Sequence, residues 1–178
     1  MSRVNMKVEG GDQLIAALRK LGKEGEAAIA KAVTQTAVDV RSDIIKRYQR
    51  GPKTGVTYWR IMGEDGLMRV YAGKPTEGGP NKLVAAFRTN GKQNLSPSHR
   101  SSAPGEAPAT DTGRLVSGTD FKSTGKLSAE VGNKVKYGPM LEFGTLKIAP
   151  RPAWLPAIEA AAPKYIKRLE TALARIMK

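Results

Sequence analysis

The sequence predicts an α+β domain in which two N-terminal helices and one C-terminal helix pack on a small, mainly antiparallel sheet, with a long hairpin and loop excursion. Three observations lead there. Apolar residues recur at helical spacing in two stretches near the start and again through residues 154–177. Between them lie short β-rich runs separated by Gly, Pro and Ser. The chain has 178 residues and 40% hydrophobic content, enough for one core and too apolar for a wholly disordered polymer. Residues 1–178 therefore read as a single α+β domain, with 51–112 as a hairpin and extended loop inserted within it.

Taken in order, residues 5–9 read as a short strand that Gly10 and Gly11 break, with Asp12 placed as an N-cap. Leu14, Ile15, Leu18 and Leu21 then fall on one helical face, and Gly22 ends that helix. A longer helix spans about 24–48, with Ile29, Val33, Val40, Ile44 and Tyr48 on one face and Ala27, Ala30 and Ala37 beside them. The plain reading of Lys31, Arg41, Lys46 and Arg47 opposite is a solvated face. Gly51 and Pro52 stop the helix.

Residues 56–62 and 67–72 form a hairpin around Gly63-Glu64-Asp65-Gly66, which places Tyr58 and Trp59 on opposite faces. Residues 74–81 are a Gly/Pro turn region, and 82–88 fit either a strand or a helical turn. Residues 89–113 hold almost no large apolar side chain and read as a long exposed loop. Two antiparallel strands follow, 115–122 and 127–133, with 135–137 continuing the second. In the last helix Leu155, Ile158, Ala162, Ile166, Leu169, Leu173 and Ile176 form the apolar face, and Pro163 is expected to kink or split it.

The formal net charge is +14, which calls for an anionic partner, an acidic neighbour, or assembly that holds repulsion in check. The balance is uneven: residues 101–145 carry five basic and five acidic side chains, whereas 146–178 carry seven and two. The absence of cysteine excludes disulfides, thiolate zinc sites and cysteine nucleophiles. No run is long and apolar enough to span a bilayer and no signal peptide opens the chain, so a protein made and used in a cytoplasm is expected. The single histidine, His99, lies in a polar loop and reads as an ordinary surface residue. No phosphate-binding glycine loop, clustered carboxylates or catalytic constellation is present, so no enzyme, cofactor or metal is expected. For DNA, the best candidates are Lys46 and Arg47 on the second helix and Arg60 and Arg69 beside Trp59 and Tyr71 on the hairpin.

Residues 137–158, YGPMLEFGTLKIAPRPAWLPAI, join the sheet-like and helical parts. Pro139 ends any preceding strand, and Met140, Leu141 and Phe143 cluster around the lone acid Glu142. Gly144 suits a positive φ, and three prolines stiffen the approach to a helix that Trp154 and Leu155 anchor. This segment, with APGEAPATDTGRLVS at 103–117, resembles the gene-ten-product-like minor structural proteins of lambdoid long-tailed bacteriophages, also described as neck or tail-completion proteins. Thr112, Gly113 and Leu115 match the family's "TG.L", Tyr137, Glu142, Gly144 and Thr145 its "Y...E.GT", and Arg151, Pro152, Leu155, Pro156 and Ala157 its "RP.L.PA". The excursion between 51 and 100 is longer than the family's, Trp154 stands where phenylalanine is common, and Pro139 is unusual.

The resemblance implies a non-enzymatic virion component, assembled in the host bacterial cytoplasm. It would form a ring on the order of six or twelve copies at the head–tail junction or top of the tail. Its expected partners are copies of itself and other neck, portal-adaptor or tail-tube proteins, with non-specific contact to DNA in the channel and none to membrane. Residues 89–113 would be an arm that orders on assembly. Assembly contacts are expected at Thr112, Gly113, Arg114, Tyr137, Leu141, Glu142, Phe143, Gly144, Thr145, Arg151, Pro152, Trp154 and Leu155. The alternative is a basic nucleic-acid-binding protein without enzymatic activity.

Overall fold

A computed structural model of the chain describes residues 15, 22–73, 82–88 and 98–176. The expected strand at 5–9, the turn at 74–81 and the loop portion 89–97 lie outside the described residues, as does the first helix except for Ile15, which is helical. Among the described residues the order is α1 (Lys23–Arg50), β1 (Thr57–Met62), β2 (Leu67–Ala72), β3 (Lys82–Arg88), β4 (Ser98–Arg100), α2 (Arg114–Gly118), β5 (Thr119–Gly125), β6 (Ser128–Asn133), α3 (Gly138–Phe143) and α4 (Trp154–Ile176). The class is α+β, and every strand pairing is antiparallel. The strands form two sheets, however, in the orders β3-β2-β1-β4 and β5-β6.

The core is built on α1. Its buried stripe is Ile29, Ala32, Thr36, Ala37, Val40, Ile44 and Tyr48, a 3-4 spacing that turns one side inward. Against it lie Leu115, Val131, Ala153, Trp154, Ala157 and Ala161. The fully buried stripe of α4 is thus Trp154, Ala157 and Ala161; of the larger residues expected, Ile158 packs half-buried against the core and Leu169 and Leu173 are half-buried, while Leu155, Ala162 and Ile166 are exposed. The reason is close approach: alanines at 153, 157 and 161 facing alanine at 37 let the helices come near, and one Trp fills what they leave. The pair Arg168–Asp39, with Arg168 also donating to Thr36 Oγ1 at 3.1 Å, ties the far end of α4 to α1. Pro163 does not split α4, which runs unbroken from Trp154 to Ile176.

Four further expectations are corrected. Residues 114–118 form a short helix, so the strand expected from 115 begins only at Thr119. The turn is fixed by Thr119, whose hydroxyl donates to Leu115 O at 2.6 Å, and by Asn133 Nδ2, which donates to Leu115 O and Thr119 Oγ1. Residues 135–137 do not extend β6. Pro139 opens a helix rather than ending a strand, because a proline in the first turn forfeits no intrahelical hydrogen bond. Finally, 98–113 is no free arm: β4 pairs with β1, and the following segment lies on the body, with Ser102 and Ala107 buried. Thr110 caps the end of α1, its N–H and hydroxyl both donating to Tyr48 O at 3.0 and 2.7 Å. The ambiguous 82–88 is a strand.

The β3-β2-β1-β4 sheet stands apart from this core, and none of its described residues is buried. Two substitutions test the placement of the core. Ile44→Ala, at 0% exposure, should lower unfolding free energy by about 2–5 kcal/mol in urea titration. Ile166→Ala, on the open side of α4, should change it by no more than about 0.5 kcal/mol.

Candidate assembly interface

The first helical turn of α4 has backbone N–H groups without helical partners. Glu142, eleven to thirteen residues earlier, supplies them. Its carboxylate accepts from the N–H of Ala153 at 2.8 Å, of Trp154 at 3.1 Å and of Leu155 at 3.0 Å. The next residue, Pro156, has no N–H to satisfy. Glu142 is buried, and its negative charge also meets the positive end of the α4 dipole.

The residues between shape the return. Gly144 has φ 76°, and a Cβ there would sit 2.8 Å from Ile148 O and 2.9 Å from Pro150 Cδ. Thr145 closes the loop: its N–H donates to Ile148 O at 2.8 Å, and its hydroxyl accepts from the N–H groups of Lys147 and Ile148. Arg151 N–H donates to Leu141 O at 2.7 Å, and its guanidinium reaches Ser102 Oγ at 3.1 Å. Trp154 Nε1 donates to the Tyr48 hydroxyl at 2.9 Å. Burial pushes that hydroxyl up to about 12, so Tyr48 stays neutral and able to accept.

The 103–117 segment meets this turn. Gly105 N–H donates to Pro150 O at 2.9 Å. Glu106 accepts from the N–H of Ala103 at 2.8 Å and from Thr54, whose hydroxyl donation holds the carboxyl below the usual range. A half-open cavity of about 160 Å³ lies where the two segments face each other. Six of the expected contact residues line it: Thr112, Gly113, Arg114, Tyr137, Leu141 and Arg151.

The outer side of the turn is apolar and open. Phe143 is 68% exposed and Leu146 fully so, with Met140, Leu155, Tyr137 and Ile148 around them. The thirteen expected contact residues thus divide. Glu142, Gly144, Thr145 and Trp154 build the turn and helix start, with Trp154 buried and Pro152 half-buried beside it. Phe143, Leu155, Tyr137 and Arg114 face outward. Sequence reasoning missed Leu146 and Ile148 as outward residues and Tyr48, Ser102 and Thr110 as supports. The signal for the first two was present, since both lie in a turn too short to bury them.

Of the DNA-facing candidates, Arg60 is paired with Asp111 and its side chain is only 8% exposed. Arg69 grips Asp65 of its own hairpin, and Arg47 donates to Asp43 and to Pro156 O. Lys46 is exposed. His99 is not an ordinary surface residue. It sits on β4 with Nδ1 3.7 Å from Asp111, its side chain 16% exposed. Burial lowers its pKa; Asp111 opposes this, and Arg60 and Lys53 add to it.

Three measurements follow. Glu142→Ala strands three N–H groups and should cost about 2–4 kcal/mol in denaturant titration, with Glu142→Gln costing less because one oxygen still accepts. Gly144→Ala should cost at least about 1 kcal/mol, since φ and space both oppose a side chain. His99 titrates lower folded than unfolded, so the unfolded chain binds its proton first, near pH 6.5. Its contribution is therefore intact above about pH 6.5 and declines on acidification below it. Melting temperature against pH should show this slope, and His99→Gln should flatten it.

A protein-family model described as "Bacteriophage HK97-gp10, putative tail-component" matches residues 12–144. The match takes in the 103–117 segment and ends at Gly144, so 145–158 and α4 lie beyond it. No curated protein and no solved structure matches the chain. With well over half of its length matched, the chain belongs to the HK97-gp10-like family of bacteriophage tail components.

Proposed function

We propose that this phage tail-component protein is a non-enzymatic subunit of a homo-oligomeric ring at the head–tail junction, where it helps join head to tail around the DNA channel. The observation that carries the reading is the open apolar patch of Met140, Phe143, Leu146, Ile148 and Leu155. Side chains this large, gathered on one turn, mark a surface that something covers. The turn beneath is held by a buried carboxylate, so the patch is presented rigidly and costs little ordering entropy when it docks. The partners are copies of the chain and neighbouring neck, portal-adaptor or tail-tube proteins, and the site of action is the virion.

DNA binding is secondary. The charge of +14 favours contact with DNA in the channel, but three of the four cations singled out for it are engaged within the chain. The test is genetic and physical together. Phage carrying Phe143→Asp with Leu146→Asp should yield full heads and tails that do not join, while the purified variant keeps its melting temperature because both positions are exposed. Normal infectious particles from that variant would overturn the reading.

A further inference from the structure

The cavity between the 98–114 segment and the 137–151 turn carries a surplus of positive charge. The charged residues lining it are Asp111, Arg114 and Arg151. Asp111 is committed to Arg60 and faces His99, whose pKa burial lowers, so the imidazole adds no charge at neutral pH. Neither lining arginine pairs with an acid among the described residues. Arg114 is exposed. Arg151 is half-buried: its guanidinium donates to Ser102 Oγ at 3.1 Å, while its Nε–H is shut off from solvent and has no acceptor among the described residues. Of the residues adjoining the lining in the chain, the charged ones are exposed Arg100 and Lys136 and buried Glu142. The Glu142 carboxylate is spent on the start of α4.

A guanidinium withdrawn from water is ordinarily held beside a counter-charge. Its planar fork matches a carboxylate. The rest of the wall narrows the ligand. Pro108, Leu115, Tyr137 and Leu141 are largely apolar, which suits a charge carried on methylene groups better than a hydrated phosphate. The volume of about 160 Å³ is well under the ~300–1,000 Å³ of small-molecule sites, so the cavity fits a side chain or a chain end and not a cofactor. Tyr137 and Leu141 also connect this wall to Met140 and Phe143, the exposed residues of α3. A second copy is a poor donor of the acid. It brings the same +14, and many of its acids are already paired, as Asp39 is with Arg168, Asp43 with Arg47 and Asp65 with Arg69.

We infer that this cavity receives a carboxylate, flanked by apolar residues, from an acidic segment of a different protein, with Arg151 and Arg114 as its ligands. The contact goes beyond the ring reading and does not depend on it. It places a charge-selective site beside the apolar turn, where area supplies affinity and the arginines select the partner.

The purified full chain is titrated with short leucine-rich peptides and followed by calorimetry and by the NMR signals of the arginine Nε–H groups. One peptide has blocked ends and a central glutamate. A second has blocked ends and glutamine in its place. A third has the glutamine and a free C-terminus. The glutamate peptide is expected to bind and to shift the Arg151 signal. The same response to the third peptide alone also supports the inference and identifies the carboxylate as a chain end. Arg151→Gln should weaken binding at least about tenfold and Arg114→Gln about threefold, the scale of a lost charge-assisted hydrogen bond. Arg114 is exposed, so its variant keeps the test valid if Arg151→Gln does not fold. Lys167→Gln removes one charge from the exposed side of α4 and should leave affinity unchanged. Equal binding of the blocked glutamine peptide, no binding of either carboxylate peptide, or an equal loss in Lys167→Gln overturns the inference. So does duplex DNA that binds through Arg114 and Arg151 while the peptides do not. Each of these results leaves the ring reading, which the phage assay tests, standing.

Discussion

A carboxylate brought to a helix start from a separate turn organises this molecule. Glu142 joins α3 to α4 by accepting three backbone N–H bonds that α4 cannot satisfy for itself. Local caps come from the residue just before a helix. Here that position is Ala153, which is wholly buried and has no side-chain oxygen to offer. The division of labour has a consequence: Ala153 is free to be small, which the approach of α4 to α1 requires, and the acid can sit where its backbone also controls an exposed loop. One hydrogen-bonded group thus sets both the packing of the C-terminal helix and the presentation of Phe143 and Leu146.

Around that junction further polar groups find partners. The Trp154 indole donates to Tyr48, Thr110 takes the Tyr48 carbonyl, Gly105 meets Pro150, and Arg151 reaches Ser102. Residues from 48, 102–110 and 142–154 therefore form one network at the end of α1. Such coupling ties the apolar turn to the end of α1 through hydrogen bonds on both of its flanks.

The two long helices were legible because burial leaves a 3.6-residue signature, and α1 was read within two residues at either end, whereas the short α2 and α3 offer too few turns to show it. The buried side of α4 was read only in part: Ile158, Leu169 and Leu173 are half-buried as expected, but periodicity favours large residues, whereas the tight α1–α4 contact selects Ala157 and Ala161. The 98–113 segment was read as free for a related reason. It buries only small residues, Ser102, Ala107 and Pro108, and otherwise holds on by hydrogen bonds, to which hydropathy is blind. The importance of Glu142 and Gly144 was legible, but the nature of their role was not. A contact seat was expected, and the structure shows a helix cap and a left-handed turn that hold the seat up. The half-open sheet was not legible in sequence, since its residues promise a buried face, and among the described residues none of them is buried.

The charge of +14 is unevenly placed over this fold. Uniformly spread, such a charge would keep copies apart. Here it is not uniform. The hairpin neutralises its own arginines with Asp65 and Asp111, and Glu142 is withdrawn into the cap, leaving lysines around the turn. The hairpin at 56–73 is neutral overall, while β3 and β4 add Lys82, Arg88 and Arg100 and residues 146–178 hold a further surplus of basic side chains.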